Sequence, residues 1–348
     1  MFQGLRMAKN KRCSGARQKK KLLAFDLCCG LGGLSLGAFH IGVIPIAAVD
    51  LNENALRTYR SNFPQAEVIN GDVAKQSVID KFIEIKSRYE KTTSKFLLIS
   101  GPPCQGFSVA GRRLVKDARN KVMISVAKAI FAIQPEGALV ENVASVMSKK
   151  HSKTIRQFVK ILENGGYYVC PVELNSLDFG VPQRRRRMIF FITRKPADRK
   201  TFEKELEKLR RPYQTVGEAL GDLPPAVVRD DCYSDIQVNQ GFFNHFAMQH
   251  SGKVKKKIAG LKQGTGPLSY RKLDPSKEAG TLISGHRAPP AHFNEPRSIT
   301  VREAARLQGF PDDFRVCGKF GAQMQQVTDA VPPQLGQAAL KTLLKIIG

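Results

Sequence analysis

LLAFDLCCGLGGLSLG, residues 22–37, is a short run that is apolar except for Asp26 and leads into a turn carrying Gly30, Gly32 and Gly33, with Gly37 beyond. An apolar run of this length, stopped by glycines and followed by helical spacing, reads as a strand buried on both faces that enters a helix. The obvious assignment is a dinucleotide fingerprint, G-x-G-x-x-G, but its third glycine would fall on Ser35. The turn therefore suits a ligand that needs close backbone approach without a pyrophosphate cradle.

Working outward, IPIAAVD (44–50), KFLLIS (95–100), GALVEN (137–142) and RMIFFIT (187–193) are further apolar runs. Helical stretches separate them, among them 119–133, 152–164 and a helix after Asn52, whose side chain fits a cap. The alternation predicts a doubly wound, mostly parallel α/β sheet. Asp50 ends the second strand, where a carboxylate accepts hydrogen bonds from ribose hydroxyls. Asp72, in NGDV, falls where a third strand ends and would meet an adenine amino group. A Gly-rich turn with these two acids suits S-adenosylmethionine.

Residues 1–21 are rich in Lys and Arg and contain no acid, which reads as a basic, disordered tail. Residues 22–194 read as a catalytic and cofactor-binding domain, completed by 323–348. Residues 195–322 read as a smaller, irregular domain. Within it Thr300 and Glu303 have capping-box spacing ahead of Gly309. The spacing of Leu335, Ala338, Ala339, Leu340, Leu343 and Leu344 predicts a final amphipathic helix over 332–347.

Across 348 residues, 56 Lys and Arg face 30 Asp and Glu, a formal charge of +26. So large an excess points to a polyanionic partner and predicts binding that weakens steeply with salt. The seven cysteines form no C-x-x-C pair and no zinc-ligand spacing, which predicts a reduced intracellular protein without a metal. No apolar run approaches a membrane span, and no apolar core follows the basic N-terminus as it does in a secretory signal.

Chemistry concentrates at the carboxyl ends of the strands. GPPCQGFS (101–108) sets Cys104 behind two prolines that fix the backbone in front of a thiol. Glu141 ends the fifth strand. In VPQRRRRMIFF (181–191), Gln183, Arg185 and Arg187 alternate with Arg184 and Arg186, so the two sets fall on opposite faces. Taken singly, these read as a core cysteine, a turn carboxylate and a solvated basic run. Their joint occurrence in this order is what calls for a shared site.

DLCCGLGG, GPPCQGFS, ENV, QRRRR and PRSITVREAARLQGFPDDF (296–314), in that order, resemble the cytosine-5 DNA methyltransferase family over nearly the whole chain past the tail. The resemblance implies the S-adenosylmethionine-dependent methyltransferase fold and a methyl transfer to C5 of a cytosine flipped out of double-stranded DNA. It makes Cys104 the nucleophile, with Glu141, Arg185 and Arg187 completing the catalytic set. Glu141 would hold the base edge and Arg187 the carbonyl oxygen. Cofactor contacts are implied at Asp26, Cys28, Gly30, Gly32, Gly33, Leu34, Asp50, Leu51, Asp72, Val73, Pro102, Asp329 and Ala330. DNA contacts are implied at Gln105, Ser108, Gln183, Thr281, Leu282 and Arg287, and 195–322 falls where the family keeps its target recognition domain.

The chain departs from the family at Cys28 and Leu51, where aromatic residues are usual. It departs again at Thr328–Asp329, where Gly-Asn is usual, and at Asp50, where glutamate is the commoner acid. Three rival readings fit the residues less well. A tRNA cytosine-5 methyltransferase would carry a Cys-Phe-Thr tripeptide, which is absent. A catalytically idle DNA binder has no use for the thiol. A nicotinamide oxidoreductase does not fit Ser35. The expected setting is a monomeric, cytoplasmic, nucleoid-associated modification enzyme of a restriction–modification pair, with a cognate endonuclease acting separately.

Overall fold

A computed structural model describes residues 21–90, 95–103, 120–229, 235–267, 270–283 and 289–348. The apolar runs become strands β1 (Leu22–Leu27), β2 (Val43–Asp50), β3 (Glu67–Asn70), β4 (Lys95–Ser100) and β5 (Gly137–Val143), joined by β6 (Tyr168–Asn175) and β7 (Arg186–Thr193). They form one sheet in the order β3-β2-β1-β4-β5-β7-β6. The first five pair in parallel, and β7 runs antiparallel to both β5 and β6. The switch of strand order on either side of β1 and β4 opens a crevice at their carboxyl ends.

β6 escapes the sequence reading for a physical reason. YVCPVELN alternates buried and half-exposed residues because it lies at the sheet's edge, and Pro171 is tolerated there. A central-strand pattern of unbroken apolar residues does not find it.

The connecting helices are α1 (Gly33–Phe39), α2 (Glu53–Asn62), α3 (Gln76–Glu90), α4 (Asn120–Ile133), α5 (Ser152–Asn164) and α6 (Arg199–Glu207). Later come α7 (Val216–Leu220), α8 (Gly252–Ala259), α9 (Val301–Leu307), α10 (Phe320–Asp329) and α11 (Pro333–Ile347). Alternation along β1 sends Leu23, Phe25 and Leu27 into one layer with Phe82 of α3, Val126 of α4 and Phe158 of α5. Ala24 faces the other layer, with Phe202 of α6 and Leu335, Leu340 and Leu343 of α11. Asn52 caps α2 by accepting from the amides of Asn54 and Ala55 at 3.0 and 3.3 Å. The Thr300–Glu303 capping box opens α9.

A third core binds the second half of the chain to the first. Leu56, Tyr59 and Phe63 of α2 pack with Leu282, Ile299, Ala304, Phe314 and Met324. Packing is also continuous across residue 195, since Phe202 and Leu206 of α6 sit in the sheet's own layer.

Two glycines of the opening segment serve helix contact. A Cβ on Gly33 would lie 2.1 Å from Val331 O, and one on Gly37 would lie 2.6 Å from Pro333 O, both where α1 meets the start of α11. We expect Gly33→Ala to lower folding stability by about 1–3 kcal/mol, as overpacking does. A denaturant titration with an unshifted midpoint would show that the two segments can part without cost.

Candidate active site

The turn after β1 is held by its backbone. Asp50, ending β2, accepts from the Gly30 amide at 2.8 Å on one carboxylate oxygen and from the Asn52 amide at 2.9 Å on the other. Each oxygen keeps a second lone pair for a ligand hydroxyl. Gly30 lies at φ +52°, and nothing comes within 4 Å of where its Cβ would be, so the turn is open there. Gly32, at φ +98°, is pressed against Phe63 and Tyr59. Leu34 is buried in the layer beneath. Leu51, following the acid, is 68% exposed at the rim. Asp72 accepts from the Ala74 amide at 2.9 Å, and Val73 beside it is buried.

Cys28, half-buried at φ +56°, has its thiol pushed far up by burial and by the carboxylates of Asp50 and Asp26, so it stays protonated. Asp26 departs from its expected role as a cofactor contact. Its carboxyl is 1% exposed and faces the interior, where Ser35 Oγ donates to it at 2.7 Å and Tyr59 Oη lies 2.6 Å from the same hydroxyl. Tyr59 carries no motif signal in the sequence, and Ser35 stands out there only as the residue that breaks the dinucleotide fingerprint. The hydroxyl that replaces the glycine is the partner of the buried acid.

Burial pushes Asp26 up from 3.8 to about 8, only partly offset by the Ser35 hydrogen bond. A raised acid contributes stability that is present below its unfolded value and lost as pH rises through the folded one. Asp26→Asn keeps an acceptor for Ser35 and cannot ionise. The variant's melting temperature should therefore gain on wild type as pH rises from about 4 to about 8. A constant difference over that range would mean that Asp26 does not titrate there.

The catalytic candidates converge one strand further on. β4 pairs with β5 so that Glu141 comes level with Gly101, and a Cβ on Gly101 would lie 3.7 Å from Glu141 Oε2. Asn142 Nδ2 donates to the carbonyl of the buried Pro102 at 3.4 Å, tying the start of the proline turn to β5. Arg187, opposite Val143 on β7, places Nε 2.7 Å from Glu141 Oε1. Burial pushes Glu141 up, and the guanidiniums of Arg187 and Arg185 pull against it. Arg185 is 2% exposed and donates from Nη2 to the carbonyl of Asp329 at 3.1 Å, which joins the end of α10 to the site. Ala330 caps α10 next to it. The alternation expected over 183–187 is present: Arg184 and Arg186 point outward to Glu278 and Glu173.

Two expected DNA contacts are internal. Gln183 is fully buried; its amide donates to the carbonyl of Leu307 at 3.2 Å and to Gln308, and its oxygen accepts from the Leu282 amide at 3.1 Å. Leu282 is 3% exposed and belongs to the third core. Both side chains tie the two halves of the chain together and leave no surface for DNA. Thr281 is exposed and donates to the carbonyl of Arg184 at 2.7 Å. Cys104, Gln105, Ser108 and Arg287 lie outside the described residues. Among the described residues no group of three or more His, Cys, Asp or Glu is placed to hold a metal, and no helix is long and apolar enough to cross a membrane.

The family model for C-5 cytosine-specific DNA methylases matches residues 22–345. The chain is similar to the type II methyltransferase M1.HphI of Haemophilus parahaemolyticus, 35% identical over 341 residues that cover 93% of this chain and 87% of that one. It is also similar to the type II methyltransferase M.DdeI of Desulfomicrobium norvegicum, 30% identical with 90% and 86% covered. Among solved structures, an E. coli prophage-encoded protein described as a DNA modification methyltransferase superposes with a TM-score of 0.77 at 28% identity, covering 93% of this chain and 99% of that one. The S. pombe Dnmt2 methyltransferase, at 17% identity and a TM-score of 0.64, covers 93% and 98% and shares the fold. The chain belongs to the C-5 cytosine-specific DNA methylase family and is a DNA cytosine-5-methyltransferase of the type II modification kind.

Proposed function

We propose that the chain methylates C5 of a cytosine flipped out of a specific duplex site, through a covalent bond between Cys104 Sγ and C6 of the base. The observation that carries this reading is the buried Glu141–Arg187 pair, level with Gly101, three residues before Cys104 in the sequence. S-adenosylmethionine fits the residues present: open space beside Gly30, lone pairs left on Asp50, and the exposed Leu51 at the rim. When bound, it supplies an electrophilic methyl carbon.

The protein's part runs as follows. Cys104, as thiolate, adds to C6 and pushes electron density to C5. Glu141 holds the base edge at ring N3 and the exocyclic N4, favouring the enamine, while Arg187 faces the developing charge at the carbonyl oxygen. Once C5 carries the methyl group it loses its proton, and Cys104 is expelled to leave 5-methylcytosine. Placing a nucleophile near its target is worth several kcal/mol of barrier.

The reading extends to the setting. Residues 195–322 contain the target recognition elements, with Thr281 and Arg287 as candidate DNA contacts. The enzyme acts as a monomer in the cytoplasm on nucleoid DNA, and a cognate endonuclease acts separately. The test offers the purified protein methyl-labelled S-adenosylmethionine with unmethylated DNA and, separately, unmodified tRNA. Labelled 5-methyldeoxycytidine is the expected product. Label in tRNA alone would reassign the substrate, and bound DNA without label would make the protein a binder.

A further inference from the structure

The positive charge is unevenly placed. α3 and α6 balance theirs: Lys86 pairs with Glu90 at 3.5 Å, Arg88 with Glu67 at 2.7 Å, and Arg199 with Glu203 at 2.7 Å. Just beyond α6, Lys208 and Arg210 pair with Glu205 and Glu207. The segment 149–160, which includes most of α5, does the opposite. Lys149, Lys153, Arg156 and Lys160 are all exposed, contain no acid among them, and make no ion pair among the described residues. Lys153, Arg156 and Lys160, spaced three and four apart within α5, share one side of the helix, and Lys149 lies in the turn just before it. The opposite side of α5 buries Phe158 and Leu162 in the sheet's layer.

The stripe follows the site closely along the chain. β5 carries Glu141 and ends at Val143, two short 3-10 turns (Ala144–Met147 and Lys149–His151) follow, and α5 starts at Ser152. A helix rises about 1.5 Å per residue, so Lys153 to Lys160 spans about 10 Å. Phosphates of one DNA strand advance about 3.4 Å along the axis each, so that span matches about three of them. Lys149 adds a further cation at the end nearest Glu141.

We propose that this face of α5 is a track for the phosphate backbone of duplex DNA that runs outward from the target base, beyond the recognised site. The inference rests on the reading of the enzyme as one that acts on duplex DNA. It adds a contact that carries no sequence information, because a phosphate presents the same charge whatever base it bears. The track supplies affinity and lets the enzyme hold the DNA that flanks one side of a site.

The experiment compares binding of wild type and a fourfold variant (Lys149→Gln, Lys153→Gln, Arg156→Gln, Lys160→Gln) to a long duplex over a range of salt. A control variant removes the same number of positive charges from the balanced region (Arg199→Gln, Lys200→Gln, Lys204→Gln, Lys208→Gln). With roughly 0.9 of slope per neutralised phosphate, the fourfold variant should lose about 3 to 4 from the slope of log K against log salt. The control should lose less than one contact's worth. Equal losses in both would reduce the effect to net charge, and an unchanged slope in the first would remove α5 from the DNA path; either overturns the proposal. In parallel, amine acylation of wild type with and without DNA is read by mass spectrometry. Protection of Lys149, Lys153 and Lys160 is expected, and their full reactivity in the complex would overturn the proposal even if the variant folded poorly. Failure of the methyl-transfer reading looks different: no label enters DNA, whatever the slopes do.

Discussion

Cys104→Ala is expected to lower methyl transfer by at least about four orders of magnitude, since a covalent mechanism loses its first bond with its nucleophile. No other cysteine described in the fold can take over. The thiols of Cys28, Cys29, Cys170 and Cys317 are each pushed up, chiefly by burial, and remain protonated at neutral pH. In the proposed mechanism Glu141 works at the edge of the ring away from C6, and a carboxylate is the weaker nucleophile. Binding should survive, because alanine removes one sulfur atom and no charge from a strongly basic protein. Transfer is read as label in deoxycytidine and binding as duplex anisotropy under the same buffer. A variant that still methylates at more than about a hundredth of the wild-type rate would exclude the covalent route.

What could be read from the residues follows the range of the interaction. The central apolar strands, the Asn52 cap and the Thr300–Glu303 box depend on neighbours within a few positions, and each is where local pattern puts it, whereas the edge strand β6 is not. The alternation of Gln183, Arg185 and Arg187 against Arg184 and Arg186 has a period of two and is equally local. Interactions between distant segments could not be read this way. Gly33 looks like a cofactor glycine until Val331, almost 300 positions away, is found against it. Gln183 looks like a surface amide until Leu307 and Leu282 close around it. Asp26 looks available to a ligand until Ser35 and Tyr59 take it inside. In each case a motif residue also holds the fold together, and the sequence presents both duties as one pattern.

The Glu141–Arg187 pair allows catalysis and stability to be separated. Their side chains are 10% and 12% exposed, so each is the main compensation for the other's desolvation. Glu141→Gln keeps an oxygen for Arg187 but removes the carboxylate that holds the base edge, and turnover should fall by about 10²- to 10⁴-fold. Arg187→Ala does something different. It deletes the strongest influence holding Glu141 down and leaves burial unopposed except by Arg185, so the already raised acid rises further. The sign follows from linkage: stability tied to a raised acid is present below its unfolded value and is lost as pH climbs through the folded one. Arg187→Ala should therefore lose stability relative to wild type increasingly as pH rises above the ordinary carboxylate value of 4.5. Removing one partner of a buried pair costs about 3–5 kcal/mol in all. Adding Glu141→Gln to Arg187→Ala should recover most of that stability without restoring turnover, because the uncompensated charge is then gone. Thermal melts across pH on the single and double variants measure this directly. If the double variant is no more stable than Arg187→Ala, packing rather than charge makes Arg187 matter.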